Sequence, residues 1–212
     1  MDKNVKTALY LLVLVLFIVS GFVWNVVSQS HQFKFNEITV FPKIKVISKF
    51  KLMDEKNQVF TNSNLQGKWS LVFFGYTHCP DVCPTTLANL NKIYRKLSSK
   101  DQQKLQIIFV SVDPERDNAA QLKNYLGFFN KNFIGVTGSL TQLTDFSREM
   151  GAVFFKGEVD KNGNYAVDHT SKVFVLNRQG ERVGLFSGQA TLPEKIYPID
   201  KFVKELNFLV KH

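Results

Sequence analysis

Cysteine is nearly absent from this chain of 212 residues: there are 2, at positions 79 and 83. So few exclude a disulfide-stapled mini-domain and a self-contained four-cysteine zinc site, and any sulfur chemistry falls to one pair. Nor is the chain poor in apolar residues or dominated by one residue type. With 44% hydrophobic and 21% charged residues, 12 Gly and 6 Pro, it is not disordered, collagen-like or of low complexity. No internal repeat is visible, and the length suits one core with an appendage. The net charge of +9 is carried by scattered lysines. They do not interleave with aromatics as a base-stacking platform would, and no zinc-finger or RNA-recognition pattern accompanies them. Nucleic acid is therefore not read as a partner, and the charge is assigned mainly to solvated surface.

Charge is also missing from residues 8–27, ALYLLVLVLFIVSGFVWNVV. As a helix rising about 1.5 Å per residue, this stretch would span about 30 Å, the thickness of a bilayer core. It is too long for the apolar part of a cleaved signal peptide and is followed by no A-x-A-like site. The sequence near the start offers no cysteine for a lipid anchor. Lys3 and Lys6 precede the stretch, which places the N-terminus in the cytoplasm, although Lys43, Lys45, Lys49 and Lys51 weigh against that orientation. No Arg- and Ser-rich transit segment comes first. The expected organisation is a cytoplasmic stub (1–7), a transmembrane anchor (8–27) and a tether with a leading extended segment (28–47). A domain (48–212) follows on the periplasmic or extracytoplasmic side of a bacterial cytoplasmic membrane.

Within that domain, Phe50–Met53 and Gln58–Thr61 flank a plausible hairpin turn. Leu71–Tyr76 (LVFFGY) and Gln106–Val112 (QIIFVSV) are short apolar runs of strand length, and 133–136 is a third such run. Leu87, Leu90, Tyr94 and Leu97 recur at helical spacing, predicting a helix from about Pro84 with Cys83 as its cap. Ala119, Leu122, Leu126 and Phe129 share a face of a second helix, expected to open at Asp113-Pro114-Glu115. Leu140, Leu143, Phe146 and Met150 mark a third, stopped by Gly151. Residues 156–168, rich in Gly, Asp, Asn and Lys, read as an exposed loop. Strands at Lys172–Leu176 and Arg182–Phe186 and a closing amphipathic helix from Ile199 complete an α/β sandwich with a mixed central sheet.

The segment Thr77-His78-Cys79-Pro80-Asp81-Val82-Cys83-Pro84 joins a buried strand to a helix N-terminus, where unpaired amides and the helix dipole favour thiolate. Two thiolates suit Cu(I), and an added imidazole makes a trigonal site acceptable to copper in either oxidation state. Of the histidines, His31 lies in the tether, His212 ends the chain, and His78 adjoins Cys79 and is expected to point away. His169, just before a sheet strand, is the preferred third ligand, the alternative being a surface or satisfied core histidine.

FFGYTHCPDVCPTTL, followed by VSVDPERD and DHTSKVFVLN, resembles the Sco/SenC family of membrane-anchored copper proteins over about residues 45–209. The resemblance implies a thioredoxin-like fold and copper, as Cu(I) or Cu(II), bound by Cys79, Cys83 and His169. It also implies delivery of copper to, or maturation of, the dinuclear CuA centre of cytochrome c oxidase subunit II. That is a chaperone's task rather than an enzyme's. Asp113 matches an acidic position that the family keeps near its site; on its own it reads as a helix N-cap ahead of Pro114, with a role behind the metal ligands as the alternative. The serious rival function is a thiol-disulfide reductase using Cys79 and Cys83 as a redox pair on the CuA cysteines or on another partner. Against it, such reductases resemble C-x-x-C rather than C-x-x-x-C and carry proline where this chain has Asp168-His169-Thr170. A permanent disulfide closing so short a loop would contribute only about 2 kcal/mol. A peroxidase lacks its usual context here, and structural zinc lacks a fourth ligand.

Overall fold

The computed structural model describes residues 12–21, 34–187 and 198–211. The chain divides into two compact units, Met1–Lys34 and Phe35–His212. In the first, helix α1 covers residues 12–21 with its side chains exposed. Among the described residues no helix is long and apolar enough to cross a membrane, and the remainder of the stretch 8–27 lies outside them.

The second unit is built on a mixed sheet. Its strands are β1 (Thr39–Lys45), β2 (Lys51–Asp54), β3 (Val59–Thr61), β4 (Trp69–Gly75), β5 (Leu105–Ser111), β6 (Ile134–Thr137), β9 (Lys172–Leu176) and β10 (Arg182–Ser187). The spatial order is β1-β10-β9-β4-β5-β6-β2-β3. β4 and β5 run parallel in register from Trp69↔Leu105 to Gly75↔Ser111, and β6 continues the parallel set beside β5. β9 lies antiparallel on the other side of β4. Two further strands, β7 (Phe154–Lys156) and β8 (Val167–His169), pair only with each other.

Central strands need both faces covered, which is why β4 and β5 read as continuous apolar runs rather than alternating ones. Leu71, Phe73, Ile107 and Phe109 point to the side covered by α2 (Val82–Lys96), α4 (Ala119–Gly127) and α6 (Ile199–Lys211). Val72, Phe74, Ile108 and Val110 point to the other, covered by α5 (Leu140–Met150) through Leu143, Phe146 and Met150. A short helix, α3 (Ser99–Gln102), links α2 to β5. The sequence caps α5 at both ends: Ser139 and Gln142 form a reciprocal capping box, and Gly151, at φ 75°, takes the left-handed conformation that ends the helix.

Several expectations need correction. Cys83 is not a cap but lies inside the first turn of α2, whose N-cap is Asp81. α4 starts at Ala119 with Asn118 as N-cap, its side chain accepting from the Gln121 amide. Residues 113–117 are therefore a turn and Asp113 caps no helix. Residues 156–168 are not simply loop, since both of their ends enter the β7–β8 hairpin. The extended part of the segment 28–47 forms β1, which joins the main sheet by pairing with β10 through Thr39↔Leu185 and Val40↔Gly184. The amides of Asn36, Glu37 and Ile38, just before β1, donate to the buried carboxylate of Glu205 on α6 at 2.7–3.2 Å.

Candidate metal centre

The cysteine loop leaves the C-terminal end of β4, a buried central strand of the main sheet. Its turn is fixed by backbone: the Cys79 amide donates to the Tyr76 carbonyl at 3.2 Å. Pro84 sits in the first turn of α2, where its missing N–H costs nothing. The amide of Cys83, one of the donors a helix start leaves unpaired, points instead at Cys79 Sγ, 3.4 Å away. Cys79 is half-buried and Cys83 fully buried.

The two sulfurs differ in proton affinity. The Cys83 thiol, hydrogen-bonded to Cys79, together with His169 and the amides of Cys83 and Asp81, holds Cys79 down to about 3. Donating its proton to Cys79, along with burial and the neighbouring negative charge, pushes Cys83 well above the ordinary thiol range. Cys79 is thus the thiolate and Cys83 the protonated partner.

His169 ends β8 and brings its Nε2 within 3.4 Å of Cys83 Sγ. Its Nδ1 faces the carbonyl of Thr170 at 3.3 Å, and a carbonyl only accepts. When copper is bound, Nδ1 can keep its proton against that carbonyl and leave the Nε2 lone pair for the metal. Tyr76 and Phe73 meet the imidazole edge-on, at 5.9 and 6.0 Å between ring centroids. One donor atom from each of Cys79, Cys83 and His169 falls within 4.8 Å of the others. Two thiolates and a neutral imidazole in such a triangle form a soft, trigonal donor set that copper accepts, and among the described residues no fourth ligand joins it to make a closed zinc site.

The family model described as SCO1/SenC matches residues 41–204. The chain belongs to the SCO1/SenC family. The Protein SCO2 homolog, mitochondrial, of Mus musculus is 38% identical over 132 residues, covering 62% of this chain and 52% of that protein. This SCO1/SenC chain thus spans about half the length of its mouse relative. The structure of Bradyrhizobium japonicum ScoI with copper bound is 35% identical, with a TM-score of 0.68 over 77% of this chain and 99% of that one. Apo Sco1 from Thermus thermophilus, also 35% identical, gives 0.72 over 84% and 99%. The thioredoxin-like sandwich with a mixed central sheet implied by the resemblance is the fold observed.

Of the other residues singled out in the sequence, His78 is exposed and faces Asp117, its Nδ1 3.8 Å from the carboxylate, and it is not among the three clustered donors. His31 and His212 lie outside the described residues. Asp113 is buried but ligates nothing: it binds Arg116 Nε at 2.5 Å and accepts from the Tyr165 hydroxyl at 2.7 Å.

Three features of the site went unread in the sequence. Gly75 ends β4 where a Cβ would stand 2.6 Å from Cys83 Sγ and 2.8 Å from Phe109 Cε2, so only glycine leaves room for the sulfur. Asp117 is buried and accepts from the Thr77 amide, the Thr77 hydroxyl and the Ser111 hydroxyl at 2.9, 2.6 and 2.6 Å, pinning the start of the cysteine loop. Arg116 lies flat over Tyr165, 3.6 Å from its ring centroid. The glycine of FFGYTHC and the acidic run DPERD were the available signals.

Proposed function

We propose that this chain is a copper chaperone that carries copper in the Cys79–Cys83–His169 triangle and delivers it to the CuA centre of cytochrome c oxidase subunit II. The observation that carries this reading is the convergence of the three donors, from loop, helix and hairpin, within 4.8 Å. Copper-bound relatives with the same architecture support it. In this reading the domain stands on the extracytoplasmic side of a bacterial membrane, anchored by residues 8–27.

Delivery follows from the unequal exposure of the ligands. Cys79 and His169 are reachable from solvent, whereas Cys83 is fully buried. An incoming thiolate of the acceptor adds to copper and displaces the partly exposed ligands first; a second acceptor ligand releases Cys83, which takes back a proton from solvent. Beyond the exchange of ligands on copper and the proton regained by Cys83, no bond of the protein is made or broken, and no turnover chemistry is required.

A second reading has its own observation, the pairing of a thiolate at Cys79 with a protonated Cys83. That is the division of labour of a dithiol reductase. The Cys79 thiolate attacks a partner's disulfide, and Cys83, losing its proton, then closes the Cys79–Cys83 disulfide and frees the partner as a dithiol. On an acceptor whose CuA cysteines are oxidised, this step would precede metal transfer.

The deciding experiment mixes the reduced full chain with one equivalent of copper and compares it with His169→Ala by metal stoichiometry and visible absorption. One tightly held copper with a thiolate-to-copper band, altered in the variant, supports the chaperone. Copper that merely oxidises the pair and leaves would hand the lead to the reductase.

A further inference from the structure

The third ligand sits on an element that the main sheet does not hold. β7 and β8 pair only with each other, and His169 meets the main sheet only through Thr170 and Ser171, which lead into β9, so its distance to the sulfurs depends on that junction and on what else fastens the hairpin to the body. Part of the fastening is apolar, from buried Val167 and from Phe154 and Tyr165 packed against the core.

Besides the Val167 amide, which donates to the Tyr76 hydroxyl oxygen, the polar part converges on one turn, residues 113–117. The Tyr165 hydroxyl donates to Asp113 Oδ1 at 2.7 Å and to Glu115 Oε2 at 3.3 Å. Arg116 stacks on the Tyr165 ring and donates from Nη1 to the Tyr165 carbonyl at 3.1 Å, while its Nε binds Asp113. Lys156, at the end of β7, reaches Glu115 at 2.5 Å and lies 4.1 Å from the same ring centroid. Hairpin and turn are thus joined by a charged fork, a stacked ring and a phenol, a combination that fixes orientation as well as distance. The last residue of the turn, Asp117, holds the other arm of the site through Thr77.

We propose that the turn 113–117 is a jig that registers the histidine arm of the copper site against its cysteine arm. Asp113, Arg116 and Tyr165 are its positioning residues, acting on the metal only through the hairpin that carries His169. This assignment rests on the copper reading given above. It goes beyond that reading by giving the role of Asp113 behind the ligands a definite structural form, and by adding Arg116 and Tyr165, which are not among the clustered donors.

The test uses the full chain with Tyr165→Phe, which removes one hydroxyl and keeps the stacked ring, and with Arg116→Gln, each alone and combined with His169→Ala. In the copper-free protein, the hairpin amides of Gly157 and Thr170, which donate to Ala166 and Val153 carbonyls, should exchange about tenfold faster, with β4 and β5 unchanged. Copper affinity should fall by about 10- to 100-fold in each single variant. In the His169→Ala background the same substitutions should cost nothing further, since the ligand they position is gone. Losses that add in that background would overturn the assignment, because the residues would then act on the cysteines or on the fold at large. If the parent chain binds no copper, the chaperone reading fails by itself. Hydrogen exchange then still decides whether the turn holds the hairpin, and unchanged exchange at Gly157 and Thr170 overturns it.

Discussion

Gly75→Ala is the smallest change that reaches the metal centre. The added Cβ would stand 2.6 Å from Cys83 Sγ and 2.8 Å from Phe109 Cε2. Comfortable contacts begin at about 3.5 Å, so the methyl overlaps the sulfur by about 0.9 Å. Neither neighbour has space to retreat into, for Cys83 and Phe109 are both 0% exposed. Overpacking of this kind costs about 1–3 kcal/mol, which for a domain of this size lowers Tm by about 2–12 °C. The sulfur must shift by nearly the width of the overlap, beyond the roughly 0.5 Å tolerance of a metal site, so copper affinity should fall by about 10- to 100-fold. Calorimetry of the copper-free chain reads the first quantity, and competition with a chromogenic Cu(I) chelator reads the second. Gly127→Ala is the control: nothing lies within 4 Å of its Cβ position and its φ is not positive. There the helix-favouring alanine should leave copper binding alone and add up to about 1 kcal/mol. If Gly75→Ala matched Gly127→Ala in both assays, the steric account of the space around Cys83 would be wrong.

Two other outcomes are expected. Because Cys79 is held down to about 3, it stays ionised across the working range and its thiolate is lost only as pH falls through that value. Iodoacetamide should therefore label Cys79 of the metal-free chain at a rate that is flat from about pH 5 to 8, with Cys83 unmodified, by mass spectrometry. A Cys79 rate climbing about tenfold per pH unit over that range would mark an ordinary thiol. Glu205→Leu removes the acceptor for three amides and should cost about 2–3 kcal/mol. It should also speed exchange at Asn36, Glu37 and Ile38, and urea titration with no change in midpoint would count against that role.

Local pattern carried most of the fold. Lys172–Leu176 reads as a strand and is one, residue for residue, because four consecutive apolar positions after Lys172 lie between a turn and a loop. α5 was legible because its cap, apolar stripe and terminating glycine agree. What was not legible depends on partners far along the chain. Asp113-Pro114 looks like a helix start, yet the Asp113 carboxylate is claimed by Tyr165, 52 residues on, and the helix waits for Asn118. The β7–β8 strands have three residues each in a polar stretch, too short for periodicity to register. The cysteine pair announced itself by spacing; that His169 is the histidine that joins it is fixed only by a hairpin whose anchor, Arg116, lies 49 residues from the carbonyl it binds.

The bond between Glu205 and the amides that precede β1 also determines where the domain carries mechanical load. A force arriving along the chain ahead of Asn36 meets those amide–carboxylate bonds first, which pass it into α6. It then meets the β1–β10 ladder at the edge of the sheet. β4, from which the cysteine loop departs, is the fourth strand from that edge, with β10 and β9 between. A pull on the chain ahead of Asn36 would therefore have to break the Glu205 bonds and the edge ladder before it loaded the strand that leads to the sulfurs.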